Sequence, residues 1–429
     1  MLLVPKSLAL LLALAALLPQ GPGELLHAQS PSPEYDEVDP WVGVAPASKG
    51  ADSAAVAGFL QSLAAADPVV CQFVVQSLGH HWGDGDGEYE AGKLKAEESA
   101  RRSRQQLSRR VTDHVALAYL ARTLGDKQPC IRRAAARMLG QSEEPESVRQ
   151  LRQALKHEDG LVREAAALGL ADAEDTSAFH DLTRALRDRE QPVVRMAAYA
   201  LGELEDARAV KPLGELLRAS DAETRATAAM ALGEIEDIRA TARLTSLVQD
   251  SDPGVRIAAI DALGEIEDHR ATNALTEALK DKVPEVRRAA AHALGEVENP
   301  RSADELAKAI DDTDVVVRRL AAQSLGELDD LQRAPVRLIA ALSDRDPELR
   351  VISALALGEI ADSTAVPALS TAYAGAGPRL RYSIVHALAE IEDRRGNAVL
   401  ELAAREKDAA IRRIAAEALE DRRDDDDDD

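Results

Sequence analysis

Residues Asp252–Leu279 read DPGVRIAAIDALGEIEDHRATNALTEAL, and the order of residue types spells two helices with a short break between them. In the first, Val255, Ala259, Ala262, Leu263 and Ile266 recur at helical spacing. Pro253 suits the opening turn, where a missing N–H removes no bond. Glu267-Asp268 interrupts the pattern, and an aspartate there can cap the next helix by accepting its free N–H groups. That helix brings Ala274, Leu275, Ala278 and Leu279 to a shared interface. Neither helix can bury its apolar face within one such unit, so copies must stack on one another.

The copies are there. The leucine that ends the AxxALG-type run recurs as Leu139, Leu170, Leu201, Leu232, Leu263, Leu294, Leu325, Leu357, Leu388 and Leu419, in steps of 31 residues except for 32 between Leu325 and Leu357. Seven residues earlier stands an arginine: Arg132, Arg163, Arg225, Arg256, Arg287, Arg318, Arg350, Arg381 and Arg412, with Arg195 displaced by one. Prolines precede it by three at Pro129, Pro253, Pro284, Pro347 and Pro378. Regular placement in every unit signals architecture, so these arginines are expected to form a ladder of hydrogen bonds between repeats, each beside the aspartate of the preceding turn. The capping aspartate recurs as Asp206, Asp237, Asp330, Asp362 and Asp393. The glycine after the leucine, as at Gly202, Gly264 and Gly326, is expected where helices pack closely.

On these residues Asp252–Leu279 resembles the HEAT-like repeat named after the phycobilisome (PBS) lyases, and the likeness extends over about three quarters of the chain. It implies an all-α fold, a right-handed α-solenoid of about ten helical hairpins of 31 residues, and is nearly silent on activity. The expected organisation is a signal peptide at 1–28, a disordered lead-in at 29–50, a degenerate repeat at 51–80, a loop and charged helical insertion at 81–110, the regular array at 111–421 and an acidic tail at 422–429. The signal reading rests on Lys6 followed by the apolar run Leu8–Leu18, too short to span a bilayer, with an uncleaved anchor as the other reading. It places the protein outside the cytoplasm, periplasmic or secreted, with no transmembrane segment after cleavage.

Composition narrows the partner. The 429 residues are 45% hydrophobic but 3% aromatic, which suits many thin Ala/Leu interfaces better than one thick core. A net charge of −23 repels nucleic acid and favours cationic proteins or peptides. A monomer is expected. Cys71 and Cys130 have no second ligand at metal spacing. They are either a disulfide or two buried thiols: helix starts in neighbouring repeats sit about 10 Å apart, and a bridge needs under about 7 Å.

Within the fixed frame some positions vary. Two before each leucine come Arg137, Leu168, Tyr199, Met230, Asp261, His292, Gln323, Leu355, His386 and Glu417. Four residues before these stand Arg133, Glu164, Arg195, Ala226, Ile257, Arg288, Arg319, Val351, Tyr382 and Arg413, and four after them Gln141, Asp172, Glu203, Glu234, Glu265, Glu296, Glu327, Glu359, Glu390 and Asp421. Spacing of four puts the three rows on one helix face. The resemblance implies that second helices line a concave side, hence a groove with one mixed wall and one wall of carboxylates. Tyr199, Met230, Leu355 and Tyr382 would give it apolar contact, and Glu203 to Glu390 charge. The competing reading is a solvated face with Arg-to-Glu pairs inside each helix.

Catalysis is not expected, and neither a cofactor nor a metal. Deoxyhypusine hydroxylase uses similar repeats with His-Glu pairs after the helix start, but the matching positions here hold Arg133-Ala134, Glu164-Ala165, Arg288-Ala289, Arg319-Leu320 and Arg413-Ile414. An EF-hand counted from Asp86 has Ala91 where the turn needs glycine. The expected function is a scaffold that binds a protein or peptide in the acidic groove, and the alternative is an enzyme or subunit of the phycobilin-lyase type.

Overall fold

A computed structural model of the protein describes residues 53–65, 71, 75, 78, 111–142 and 144–427. The signal segment, the lead-in, the 81–110 insertion and the EF-hand count from Asp86 lie outside the described residues. Those described are helical throughout, with no strand among them, and fall into two compact units, Ala28–Asp237 and a second that takes in Ile238–Asp429.

The first unit opens with α1 (Ser53–Ala65), which packs against α2 (His114–Thr123) and α3 (Pro129–Gly140). Three more hairpins follow: α4 (Pro145–Ala154) with α5 (Gly160–Ala173), α6 (Phe179–Ala185) with α7 (Gln191–Glu203), and α8 (Val210–Leu216) with α9 (Ala222–Gly233). The second unit holds six hairpins. They are α10 (Thr241–Leu247) with α11 (Pro253–Glu265), α12 (Thr272–Ala278) with α13 (Pro284–Glu296), and α14 (Ala303–Ala309) with α15 (Val315–Glu327). After them come α16 (Val336–Ala340) with α17 (Pro347–Ile360), α18 (Val366–Tyr373) with α19 (Pro378–Ile391), and α20 (Asn397–Ala403) with α21 (Ala409–Asp427). Within each unit, consecutive second helices pack side by side as one layer, and each first helix lies on its own second helix. The fold is an α-solenoid of stacked helical hairpins. Its last helix runs on to Asp427, past the start expected for the acidic tail.

The periodic leucines Leu139, Leu170, Leu201, Leu232, Leu263, Leu294, Leu325 and Leu357 are fully buried, each contributing about 1.5–3 kcal/mol. Small residues set the spacing between second helices. A Cβ on Gly202, Gly326 or Gly358 would come within 2.9 Å of the Cα of Ala231, Ala356 or Ala387 in the next repeat.

Aspartates fix the helix starts. Asp252 accepts from the N–H groups of Gly254 and Val255, and Asp314 from those of Val316 and Val317. Asp206, Asp268, Asp362 and Asp393 each cap a short 3-10 turn that leads into a first helix. Immediately before these stand Glu205, Glu267, Ala361 and Glu392, all left-handed with φ between 48° and 54°.

The 32-residue step departs from this pattern. After α15 the chain turns extended at Leu328, and Asp330, expected as a cap, is itself left-handed at φ 52°. The extra residue and Pro335 displace the turn. Asp362 of the following repeat takes over, accepting from the Ala334 N–H at 2.9 Å.

Candidate binding face

The ladder arginines limit which charges on this face remain available. Arg163 grips Asp188 with two bonds of 2.7 and 2.8 Å, Arg287 grips Asp312 with two of 2.8 Å, and Arg256 donates to Asp281 at 2.9 Å. Each also donates to a carbonyl at the end of its own preceding loop, as Arg287 does to Asp281 at 2.9 Å. The carboxylate therefore belongs to the next repeat's loop, 25 residues on, and the preceding turn supplies a carbonyl. This corrects the pairing expected from sequence. Arg132 and Arg225 reach the Asp126 and Ala219 carbonyls, Arg318 lies 3.9 Å from Asp344, Arg381 donates to Glu406 at 2.8 Å, and Arg412 reaches the Glu406 carbonyl. Arg350 is the exception and has no such partner among the described residues.

The arginines one position further on are also tied between repeats. Arg288 holds Asp314 at 2.6 and 3.0 Å, Arg319 holds Asp346 at 2.7 and 2.8 Å, and Arg195 lies 3.3 Å from Asp221. They brace the caps of the following second helices, so this wall of the face is occupied by architecture.

In the first unit, Tyr199 is half-buried, while Met230 is 57% exposed and Glu234 is exposed. Burial, then the Glu203 carboxylate, pushes the Tyr199 phenol upward. Arg137 grips Asp172 at 2.9 and 3.1 Å, yet burial of Asp172 outweighs the arginine and pushes its carboxyl up to about 7.

In the second unit, Asp261, His292, Glu265, Glu359 and Glu390 are exposed, and Gln323, Glu296, Glu327, Tyr382 and His386 are half-buried. Pairs run along each helix: His292 to Glu296 at 3.4 Å, Gln323 to Glu327 at 2.9 Å, and His386 to Glu390 at 4.0 Å. The hydrogen bond with Glu296 holds the His292 imidazole up to about 9. Asp261 reaches solvent at its surface, yet the protein crowded around it, then Glu296, pushes its carboxyl up to about 6. Glu296 lies over Gly264 and Glu327 over Gly295, where a Cβ would collide with each carboxylate. Tyr382 and His386 stand with ring centroids 6.4 Å apart.

Leu355, expected to offer apolar contact, is only 4% exposed. Neighbouring second helices cover it, and it contributes only to the floor of a pocket. That pocket, of about 260 Å³, lies between α15 and α17 at the 32-residue step. Leu328, Leu331, Ile352 and Ile360 give it apolar walls, and Glu298, Glu327, Asp329 and Glu359 bring carboxylates. Burial, then Asp329, pushes Glu298 above the usual carboxylate range, and burial does the same to Glu327. Glu298, Asp329 and Leu331 were not singled out from the sequence. The irregular step was the only signal that could have found them.

Cys71 and Cys130 form a disulfide with Cα atoms 6.1 Å apart, closer than two neighbouring helix axes. Among the described residues no group of three or more His, Cys, Asp or Glu side chains is placed to hold a metal ion. None of the described helices is long and apolar enough to cross a membrane.

Six overlapping stretches, residues 117–202, 148–223, 182–252, 210–294, 277–336 and 334–420, match the family model of HEAT repeats. Among solved structures, an engineered protein is 21% identical over 72% of this chain and 98% of its own, with a TM-score of 0.46. YibA of Escherichia coli is 18% identical over 71% and 98%, with a TM-score of 0.46. The complex of CpcE and CpcF of phycocyanin lyase from a Nostoc species is 22% identical over 57% and 94%, with a TM-score of 0.35. No curated protein matches the chain.

Proposed function

This chain belongs to the HEAT-repeat family, and from that premise we propose that it is an exported, non-catalytic scaffold whose acidic groove holds a cationic protein or peptide. The observation that carries this reading is the pocket between α15 and α17, with its apolar walls and carboxylates. A lysine or arginine side chain has matching halves: an apolar stem for Leu331, Ile352 and Ile360, and a cationic head for Glu298 and Glu327. Burial disfavours the charged form of both carboxylates, so a cation placed between them gains more there than beside a solvated acid. Met230 and Tyr199 offer a separate apolar contact in the first unit. The apolar leader and the Cys71–Cys130 disulfide support export, because such bonds persist in oxidising compartments.

A library of short peptides, scored by fluorescence anisotropy, tests the proposal against general attraction to a chain of net charge −23. Glu327→Lys is expected to weaken the best Lys/Arg-containing binder at least tenfold. Glu401→Lys, on the exposed side of α20, is expected to change it less than twofold. Equal losses in the two variants would leave only non-specific charge and discard the pocket.

A further inference from the structure

The repeats serve as internal controls for one another: Arg132, with His157 in place of the loop acid, still donates to the Asp126 carbonyl, whereas the Arg350 guanidinium has neither a carboxylate nor a carbonyl. In its sibling positions Arg163, Arg256 and Arg287 each find an aspartate 25 residues on, at 2.7 to 2.9 Å. Twenty-five residues beyond Arg350 the chain has Gly375, within Ala374-Gly375-Ala376-Gly377, so the loop brings no carboxylate. The neighbouring acids are engaged elsewhere: Glu348 takes Arg379 at 2.9 and 3.0 Å, Asp346 takes Arg319, and Glu406 takes Arg381. Among the described residues the Arg350 guanidinium has no hydrogen-bond or ion-pair partner. Its Nε is buried without an acceptor like those of Arg256, Arg318 and Arg381, but those three engage a carboxylate or carbonyl through their other nitrogens and Arg350 does not. The vacated place is open, since a Cβ added at Gly375 or Gly377 would meet nothing within 4 Å.

We infer that Arg350 is a receptor for an external carboxylate, the side chain of an acidic peptide segment, which occupies the position that Asp188, Asp281 and Asp312 fill in the sibling repeats. A guanidinium offers parallel N–H donors to one carboxylate, the geometry that Arg163 and Arg287 already display. A half-buried guanidinium without an acceptor loses hydration and gains nothing in return, so a carboxylate there restores what the other rungs have. The site stands on the loop edge of the second helices and does not depend on the acidic groove.

The test uses full-length protein labelled at arginine nitrogen and follows the Arg350 Nε–H resonance. The probes are acetyl-Gly-Asp-amide, its Asn isostere, and inorganic phosphate at matched ionic strength. Expected is a saturable shift with the Asp probe, none with the Asn probe, and at least a tenfold loss of affinity in Gly375→Asp. That variant supplies its own carboxylate, and its unfolding midpoint is expected to rise. A shift that persists unchanged in Gly375→Asp, or none in the wild type, overturns the inference. Tighter binding of phosphate than of the Asp probe overturns the carboxylate assignment.

Discussion

The hairpins from α12 to α15 and the stretch from Leu328 to Gly377 are built on one plan, yet one is closed and the other open. In the first, Arg287 meets Asp312, Arg288 meets Asp314, and Gly295 is filled over by Glu327. In the second, one extra residue replaces a capped turn with an extended link, a pocket of about 260 Å³ opens, and Arg350 loses its carboxylate. Periodic residues in this protein hold it together. Where the period slips a pocket opens, and where a regular loop lacks its acid an arginine is left with unused capacity.

The sharpest way to break that contrast is to remove the same side chain from both stretches. Arg287→Ala leaves Asp312 desolvated without its partner, the two side chains being 11% and 14% exposed, and is expected to cost about 3 kcal/mol. Arg350→Ala is expected to cost less than about 1 kcal/mol, because only its stem packing is lost. Urea unfolding combined with hydrogen exchange at α13 and α17 reads both. Equal losses would mean that Arg350 is as firmly partnered as Arg287.

Glycine gives the next largest effect. Gly264→Ala drives a methyl into Glu296 and toward Ala293, and is expected to destabilise by about 1–3 kcal/mol. Gly375→Ala meets open space and is expected to be neutral or to stabilise by about 0.5 kcal/mol through the unfolded chain. The same hydrogen-exchange measurement separates them, and a destabilised Gly375→Ala would show the loop to be filled.

The smallest effect is a titration. His292 is raised to about 9 by Glu296, so its favourable contribution is complete below about 6.5 and fades as pH rises through 9. Half of its side chain meets solvent, which keeps the energy small. An NMR titration is expected to find the midpoint near 9 in the wild type and close to the ordinary histidine value in Glu296→Gln. Identical midpoints would remove Glu296 as the cause.

The fold was legible because burial forces a leucine into each second helix at a constant interval, from Leu139 to Leu419. The arginine row was legible as architecture too, but not its partner: counting along one helix cannot tell which neighbouring loop comes alongside, and Asp312 proves nearer to Arg287 than sequence proximity suggested. Leu355 was misplaced for a related reason. Register gives the face a residue stands on, not how far the adjacent helix covers it. The disulfide was not legible in the sequence because axis spacing alone does not give the 6.1 Å separation of its Cα atoms. Gly375 could be recognised as a missing acid only once the structure had shown that the ladder partner lies 25 residues on.

The bond between Cys71 and Cys130 joins residues 59 apart in sequence into a ring, and the charged stretch 81–110 lies within it. A protease that nicks that stretch would leave two fragments travelling as one molecule, running intact on a gel without reductant and parting only once thiols are added. Damage there is recorded without disassembly.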